Sequence, residues 1–320
     1  MKTGAIISGV ALLALLLLPL SVQSPYALHI FILLFIAVAL GESWNVIGGF
    51  AGQYSVGHSA WYGLGAYGAF ILLQRKGIAP WFGVWAAVAL SVIVALVVGW
   101  ITFRLRGPYF VLASIAVAEI IRLLALNAKD LTNGAEGILA SDLPPLKIGG
   151  TVITDWNSKT PYFYMGLAMA VFCIAVNYLV KRSKLGYYLQ AIREDQDAAH
   201  SLGIPVTLAK NIALGISAAC TALVGSFAAF YVGFIEPNQV FGLDVSIQMV
   251  LTAIIGGIGT VAGPVLGAFV LVLISEALRA SIAQAHLLVY GILVILVILV
   301  MPDGFVGFIG QRLRRKAGAR

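Results

Sequence analysis

The sequence predicts an all-α fold: a polytopic transmembrane helical bundle of about eight to ten spans, with two glycine-rich segments that are either broken or tightly packed. Three observations predict it. Apolar residues make up 61% of the 320 and charged residues only 10%, against about 25% charged in soluble domains. Mean hydropathy is +0.99. The charges are also clustered: no Asp, Glu, Lys or Arg occurs between Lys2 and Glu42, nor between Lys76 and Arg104. In lipid the backbone has to satisfy its own hydrogen bonds, so uncharged runs of that length are helices or closed barrels. Barrel strands alternate in polarity over about ten residues, whereas Ala11–Leu18 and Val289–Val300 are apolar on every side.

Windows near twenty residues, the length that crosses a hydrocarbon core, place spans at about 4–22, 27–47, 54–74, 80–103, 107–126, 161–180, 209–234 and 286–301. Residues 246–280 hold a further pair of helices, or a broken helix plus a span. The result is about ten crossings in a single transmembrane domain covering 1–320. Pro19, Pro80, Pro108, Pro161, Pro237 and Pro302 fall at or near segment ends, where a missing N–H donor is harmless. The first apolar run, from Lys2 to Leu20, has the outline of a secretory signal. No small-x-small cleavage site follows it, because Pro19, Gln23 and Pro25 occupy that region and a second apolar run starts near Ala27. A retained first helix is expected.

Basic residues set the orientation, because short loops rich in Lys and Arg stay in the cytoplasm. Arg104 and Arg106 form one such loop. The loop 181–208 carries Lys181, Arg182, Lys184 and Arg193, with Lys210 just beyond it, and the tail 303–320 carries Arg312, Arg314, Arg315, Lys316 and Arg320. The segment 127–160 sets three lysines against Asp130, Glu136, Asp142 and Asp155, and the stretch near Glu236 and Asp244 is purely acidic. These two are expected outside. Threading the chain through these sides puts both termini in the cytoplasm of a bacterial inner membrane and leaves Arg75 and Lys76 outside as one exception.

Several function classes are disfavoured. The net charge of +7 is explained by loop cations, so no nucleic-acid partner is expected. Cys173 and Cys220 lie inside apolar segments and read as small hydrophobes. His29, His58, His200 and His286 stand alone, so no metal site is expected. Gly63-x-Gly65-x-x-Gly68 matches the dinucleotide fingerprint to the letter, but that motif requires a βαβ unit and here lies within a membrane segment. No G-x-x-x-x-G-K-[ST] occurs, and no clustered His, Asp, Glu or Ser motif marks a catalytic residue.

Two glycine-dense segments interrupt the ordinary pattern: Gly48 through His58 and on to Gly68, and Gly256 through Gly267. They occupy roughly corresponding places in the two halves of the chain. Paired interrupted segments mark translocation paths in transporters, since unwound backbone can line a cavity. Gly52, Gln53, Ser55, Gly57 and His58 of the first, with Gly259 and Gly263 of the second, are the candidate pathway residues. Close helix packing on a small-xxx-small face is the other reading. Two charged pairs stand within spans at i,i+3 spacing, Glu119 with Arg122 and Glu276 with Arg279. Charges at such depth are costly and often functional. A structural pair near the outer interface is the alternative.

The loop from Lys184 to Pro205 reads as a short amphipathic helix. Leu189, Ile192, Ala199 and Leu202 share part of one face, Arg193, Glu194 and Asp197 point elsewhere, and Gly203 and Pro205 end it. Asp197-Ala198-Ala199-x-x-x-Gly203 fits the [E/D]-A-A-x-x-x-G signature of ABC importer permeases. From about residue 35 to 305 the chain resembles the branched-chain amino acid ABC transporter permeases, in their LivM-like branch. The matching stretches are Gly49 to His58, Tyr109-Phe110 through Glu119 to Arg122, Thr132 to Ile138, Arg193 to Gly203, and Gly256 to Gly267. Two departures stand out. Asp197 replaces the usual Glu, and Glu42-Ser43-Trp44 stands where a more apolar stretch is common and bears on substrate choice.

The resemblance implies an alternating-access permease subunit for branched-chain or related amino acids, with no cofactor of its own. ATP is used by two ABC ATPase subunits, a second homologous permease completes the membrane part, and an extracytoplasmic binding protein delivers substrate. Arg193, Glu194, Asp197, Ala198, Ala199 and Gly203 are the expected ATPase-coupling residues. The competing class is a stand-alone secondary transporter or channel for a small polar solute.

Overall fold

A computed structural model describes residues 2–22, 24–139, 156 and 158–281, together with 147–148, 151–152 and scattered positions between 289 and 308. The expected span at 286–301, all but a few of its residues, and the basic residues of the tail lie outside the described residues. In chain order the helices are α1 (Lys2–Ser21), α2 (Pro25–Asn45), α3 (Ser59–Lys76), α4 (Pro80–Thr102), α5 (Pro108–Asn127), the single turn α6 (Lys129–Thr132), α7 (Thr160–Arg182), α8 (Lys184–Glu194), α9 (Gln196–Ser201), α10 (Val206–Val232), the single turn α11 (Pro237–Val240), α12 (Leu243–Gly256) and α13 (Gly263–Ser281). Four two-residue strands are β1 (Ile138–Leu139), β2 (Lys147–Ile148), β3 (Thr151–Val152) and β4 (Phe234–Ile235).

The chain is a helical bundle. By length and hydropathy, six described segments suffice to cross a membrane: Pro25–Phe50, Pro80–Thr102, Pro108–Asn127, Thr160–Arg182, Val206–Val232 and Pro237–Gly256. The expected prolines open α4, α5, α7 and α11 in their first turn, as Pro25 opens α2. There the ring presets helical φ and the lost donor is an orphan in any case. One boundary differs from expectation: the span placed at 54–74 begins only at Ser59, because Gly52–His58 is unwound. Within 246–280 the pair of helices forms, as one of the two expected readings, and the chain breaks between them where Gly257 and Gly259 take φ of 127° and 75°, a region closed to most side chains.

α2 and α10 are the most deeply buried spans, whereas α4 and α5 expose most of their surface. Phe31 and Phe35 of α2 meet Phe163 of α7 edge-on, with centroids 6.0 and 5.1 Å apart. Between α3 and α10 the backbones touch. A Cβ at Gly65 would lie 2.1 Å from the Ala222 carbonyl, one at Gly225 would lie 2.1 Å from that of Tyr62, and Ser226 Oγ donates to the Gly65 carbonyl at 2.8 Å. The central glycine of the fingerprint-like motif therefore serves helix packing, as in small-residue membrane interfaces. The segment expected outside is partly ordered into structure: β1 pairs antiparallel with β4, tying 127–139 to the stretch after α10.

Candidate functional site

The candidate coupling region starts from α8 and α9. Ser183 caps α8 by accepting from Gly186 N–H at 3.3 Å. Asp195 then leaves the helical region, with φ −152° and ψ 115°, and its Oδ1 accepts from the amides of Asp197 and Ala198 at 2.8 and 2.9 Å. An Asp that offers its side chain to the next amides is a helix start, so the single amphipathic helix expected here is two helices joined at a cap. The break alters one face. Leu189, Ile192 and Ala199 are buried as expected, but Leu202 is 82% exposed, because it follows the last turn of α9. Gly203, at φ 83°, ends that turn, and Ile204 N–H returns to the Ala199 carbonyl at 3.1 Å. Glu194, Asp197, Ala198, Leu202 and Gly203 all present themselves at the surface.

Arg193 departs from expectation most. Its guanidinium does not point away but reaches into the bundle, and Nη1 donates to the Gly49 carbonyl at 2.7 Å. A Cβ added at Gly52 would lie 3.0 Å from Arg193 Cγ, and one at Gly259 only 2.4 Å from its Nη1. One side chain of the surface helix thus lies against both glycine segments. The segments also clasp each other. Asn45, the last residue of α2, donates from Nδ2 to the Thr260 carbonyl and accepts from Gly259 N–H, both at 2.9 Å. A Cβ at Gly49 would fall 1.9 Å from Asn45 Oδ1 and 2.8 Å from Gly259 N, so glycine is required for the clasp to close. Lys181 at the end of α7 adds a bond from Nζ to the Gly259 carbonyl at 3.2 Å. Between α2 and the unwound strand lies a π-helical turn, Val46–Phe50, a strained form that recurs at functional sites.

Two cavities flank this junction. One of about 360 Å³ is lined by Phe50, Lys181, Gln190, Arg193, Glu194 and Gly259. The other, about 490 Å³, lies between Gly52–Tyr54 and Gly107–Leu112 and includes Gln53. Asp197 joins the same end through an ion pair with Arg106 at 2.9 Å, both side chains largely exposed. Three further residues there have roles that the sequence did not single out. Lys210 is fully buried and donates to Gln196 Oε1 at 2.5 Å. Asn45 and Thr260 were visible only as polar residues beside glycines, a signal too common to stand alone.

Ser55, Gly57 and His58 form a separate cluster. His58 is fully buried, with Nδ1 2.9 Å from Ser55 Oγ and Nε2 2.8 Å from Ser217 Oγ. Ser217 donates in turn to the Ser43 carbonyl at 2.7 Å. Ser217 lies about 16 Å along α10 from Val206 by helical rise, so the unwound segment returns from the Arg193 end deep into the bundle. A Cβ at Gly57 would overlap the Ser114 carbonyl at 1.9 Å. Gly263, after the second break, packs against the Gly257 carbonyl and takes a 2.9 Å bond from its amide to Thr260 Oγ1. The residues of the departing stretch are all buried: Glu42 bonds Asn177 of α7, Ser43 donates to the Ala39 carbonyl at 2.6 Å, and Trp44 donates to the Ser55 carbonyl at 2.7 Å.

The two charged pairs form as their spacing suggests. Arg122 grips Glu119 with two bonds of 2.8 and 2.5 Å and spends a third on Asn238 Oδ1 at 2.5 Å, joining α5 to α11. Arg279 Nη1 lies 3.2 Å from Glu276 Oε1, and the Tyr26 hydroxyl donates to Glu276 Oε2 at 3.2 Å. Cys173 and Cys220 are both free and buried.

A helix pair thus lies at one end of the bundle, with one arginine touching both breaks in the spans, and the chain is similar to known membrane proteins. It is 29% identical over 301 residues to the high-affinity branched-chain amino acid transport system permease protein LivM of Salmonella typhimurium, covering 88% of this chain and 70% of that one. Against LivM of Escherichia coli K12 the identity is 27% over 304 residues, covering 89% and 71%. Against the LivH permease protein of the same organism it is 26% over 297 residues, covering 86% and 94%. No solved structure matches the chain. Residues 26–300 match the family described as the permease component of branched-chain amino acid transport systems, and the chain belongs to that family.

Proposed function

We propose that this multi-pass membrane protein is the permease subunit of an ATP-driven ABC importer for branched-chain or related amino acids. It moves substrate by alternating access and does no covalent chemistry. The carrying observation is the Arg193 junction: a surface helix pair bonded to the Gly49 carbonyl and packed on Gly52 and Gly259. In this reading the end of the bundle bearing Arg106, Lys181 and Arg193 faces the cytoplasm of an inner membrane, and both termini lie there. Of two ATPase subunits, one seats α8 and α9 in a groove through Asp197, Ala198 and Gly203, with Ala199 anchoring α9 to the bundle from beneath. Closure of the ATPase dimer on ATP moves Arg193, and with it the clasp of Asn45, Gly259 and Thr260. The unwound stretch from Gly52 to His58 is joined to that clasp and repositions with it. The chain itself holds no ATP and no other cofactor; a second homologous permease completes the path, and an extracytoplasmic binding protein loads it.

Affinity purification from mild detergent tests the reading. Two ATPase subunits and a second permease are expected to accompany the chain, and uptake into liposomes is expected to require ATP. Recovery of this chain alone, active under an ion gradient without ATP, would establish the stand-alone transporter instead.

A further inference from the structure

The motion proposed above needs a place for substrate within the spans, beyond the two cavities beside the Arg193 junction. The apolar cavity of about 330 Å³ between α4, α7 and α10, walled by Trp81, Trp85, Tyr162 and Phe227, has no charged group. A zwitterion entering it would leave both its charges unpaired, at a cost of several kcal/mol in a medium without water.

A second groove differs. It lies between α2, α3, α12 and α13 and has a volume of about 250 Å³, below the ~300 Å³ at which pockets for drug-sized ligands begin. Leu33 and Ile36 form one wall and Leu271 the other, while Gln248, Ser275, Glu276 and Arg279 supply polar groups to the same space. These four are not arranged as a closed structural network. The Glu276 side chain is 11% exposed and directed inward, whereas that of Arg279 is 58% exposed. Their contact uses a single guanidinium nitrogen at 3.2 Å, unlike the two-bond grip and third bond of the Glu119–Arg122 pair. The Gln248 amide and the Ser275 hydroxyl have no bonding partner among the described residues. An exposed Gln and a guanidinium with a single nitrogen paired leave donors open to the groove, and such groups are costly where they face lipid. They are well placed if a polar solute visits.

We infer that this groove is a docking site for a zwitterionic α-amino acid with an aliphatic side chain. Glu276 accepts the α-ammonium and the free donors of Arg279 hold the α-carboxylate. Gln248 and Ser275 complete the bonds of the head group, and the walls of Leu33, Ile36 and Leu271 take the side chain. Opposite charges one helical turn apart match the two ends of an amino-acid head group, and the Tyr26 bond at 3.2 Å keeps the carboxylate aimed when Arg279 turns to the ligand. The inference rests on the permease reading.

The test uses the full complex of this chain with its partner subunits in liposomes, supplied with loaded binding protein, and measures ATP-dependent uptake of radiolabelled L-leucine. Glu276→Gln and Arg279→Gln are each expected to lower uptake per assembled complex at least tenfold. Uptake within twofold of wild type in both would overturn the assignment. A second arm needs neither transport nor the binding protein. Ser275→Cys in the purified complex is exposed to a membrane-impermeant thiol reagent, and the natural Cys173 and Cys220 are buried. Millimolar L-leucine is expected to protect it, whereas 3-methylbutylamine and 4-methylpentanoate, each carrying one charge, are not. Lack of protection by leucine, or equal protection by either half-molecule, rejects the groove, and it decides the matter if the charge variants fail to assemble. A wild-type complex that takes up no amino acid sinks the permease reading, and the labelling arm still reports on the groove separately.

Discussion

Replacing Arg193 by Gln is the most direct perturbation of the proposed coupling. The side chain makes one charge-assisted bond of 2.7 Å to the Gly49 carbonyl, a class worth about 1.5–3 kcal/mol when well formed. Arg193 is partly open to solvent and water can replace it, which argues for a value at or just below the bottom of that range, roughly 1–2 kcal/mol. Against this, Gly49 is buried, and a carbonyl left unpaired there costs on the order of 1 kcal/mol or more. If the bond exists in only one of two transport states, its loss shifts their balance by about 5- to 30-fold, since roughly 1.4 kcal/mol is a factor of ten. Uptake per assembled complex is expected to fall by that factor in proteoliposomes, with the ATPase subunits still bound. Arg193→Lys keeps the charge without the planar fork and should recover part of the loss. Wild-type uptake in Arg193→Gln would refute the idea that this side chain carries motion from the surface helices to the glycine segments.

Other expectations concern neighbouring features. Gly49→Ala places a methyl group inside the Asn45 clasp; a loss of roughly 2–4 kcal/mol is expected from the displaced bonds and overpacking, seen as a lower melting temperature of the purified complex. Asp195→Ala removes the cap of α9 at a cost near ~1 kcal/mol and should weaken retention of the ATPase subunits during purification, while Asp195→Asn, also a good cap, should not. Gly203→Arg adds a bulky cation at φ 83° on the exposed turn and is expected to abolish ATPase association while membrane insertion persists. Intact assembly would move the docking surface elsewhere. His58→Leu removes one hydrogen-bond partner from each of two buried serines and should destabilise the bundle by about 2–4 kcal/mol, measured as thermal aggregation in detergent.

The residues that determined the fold class are the uncharged runs, because lipid leaves a backbone no other partner than itself. Prolines at 25, 80, 108, 161 and 237 fixed helix starts, since a ring without an N–H is tolerated only in the first turn. The end of the loop helix at Gly203 was equally legible, for its glycine has a local reason, a left-handed turn at φ 83°. The sequence could not foresee the break at Asp195, because capping competes with helix continuation and the outcome depends on Ile192 and Ala199 finding separate places in the core. Nor could it foresee Arg193 turning inward. A charge on a polar loop reads as solvated until the Gly49 carbonyl, 144 positions away, comes within reach. The two glycine segments were visible as compositions, but only the packed bundle decided that Asn45 pins one to the other and that His58 lies between Ser55 of the unwound stretch and Ser217 of α10. Local chemistry determined where this protein lives and where its helices begin. Contacts between residues far apart in the chain, made possible where glycine lets backbones touch, decided which of its parts can move together.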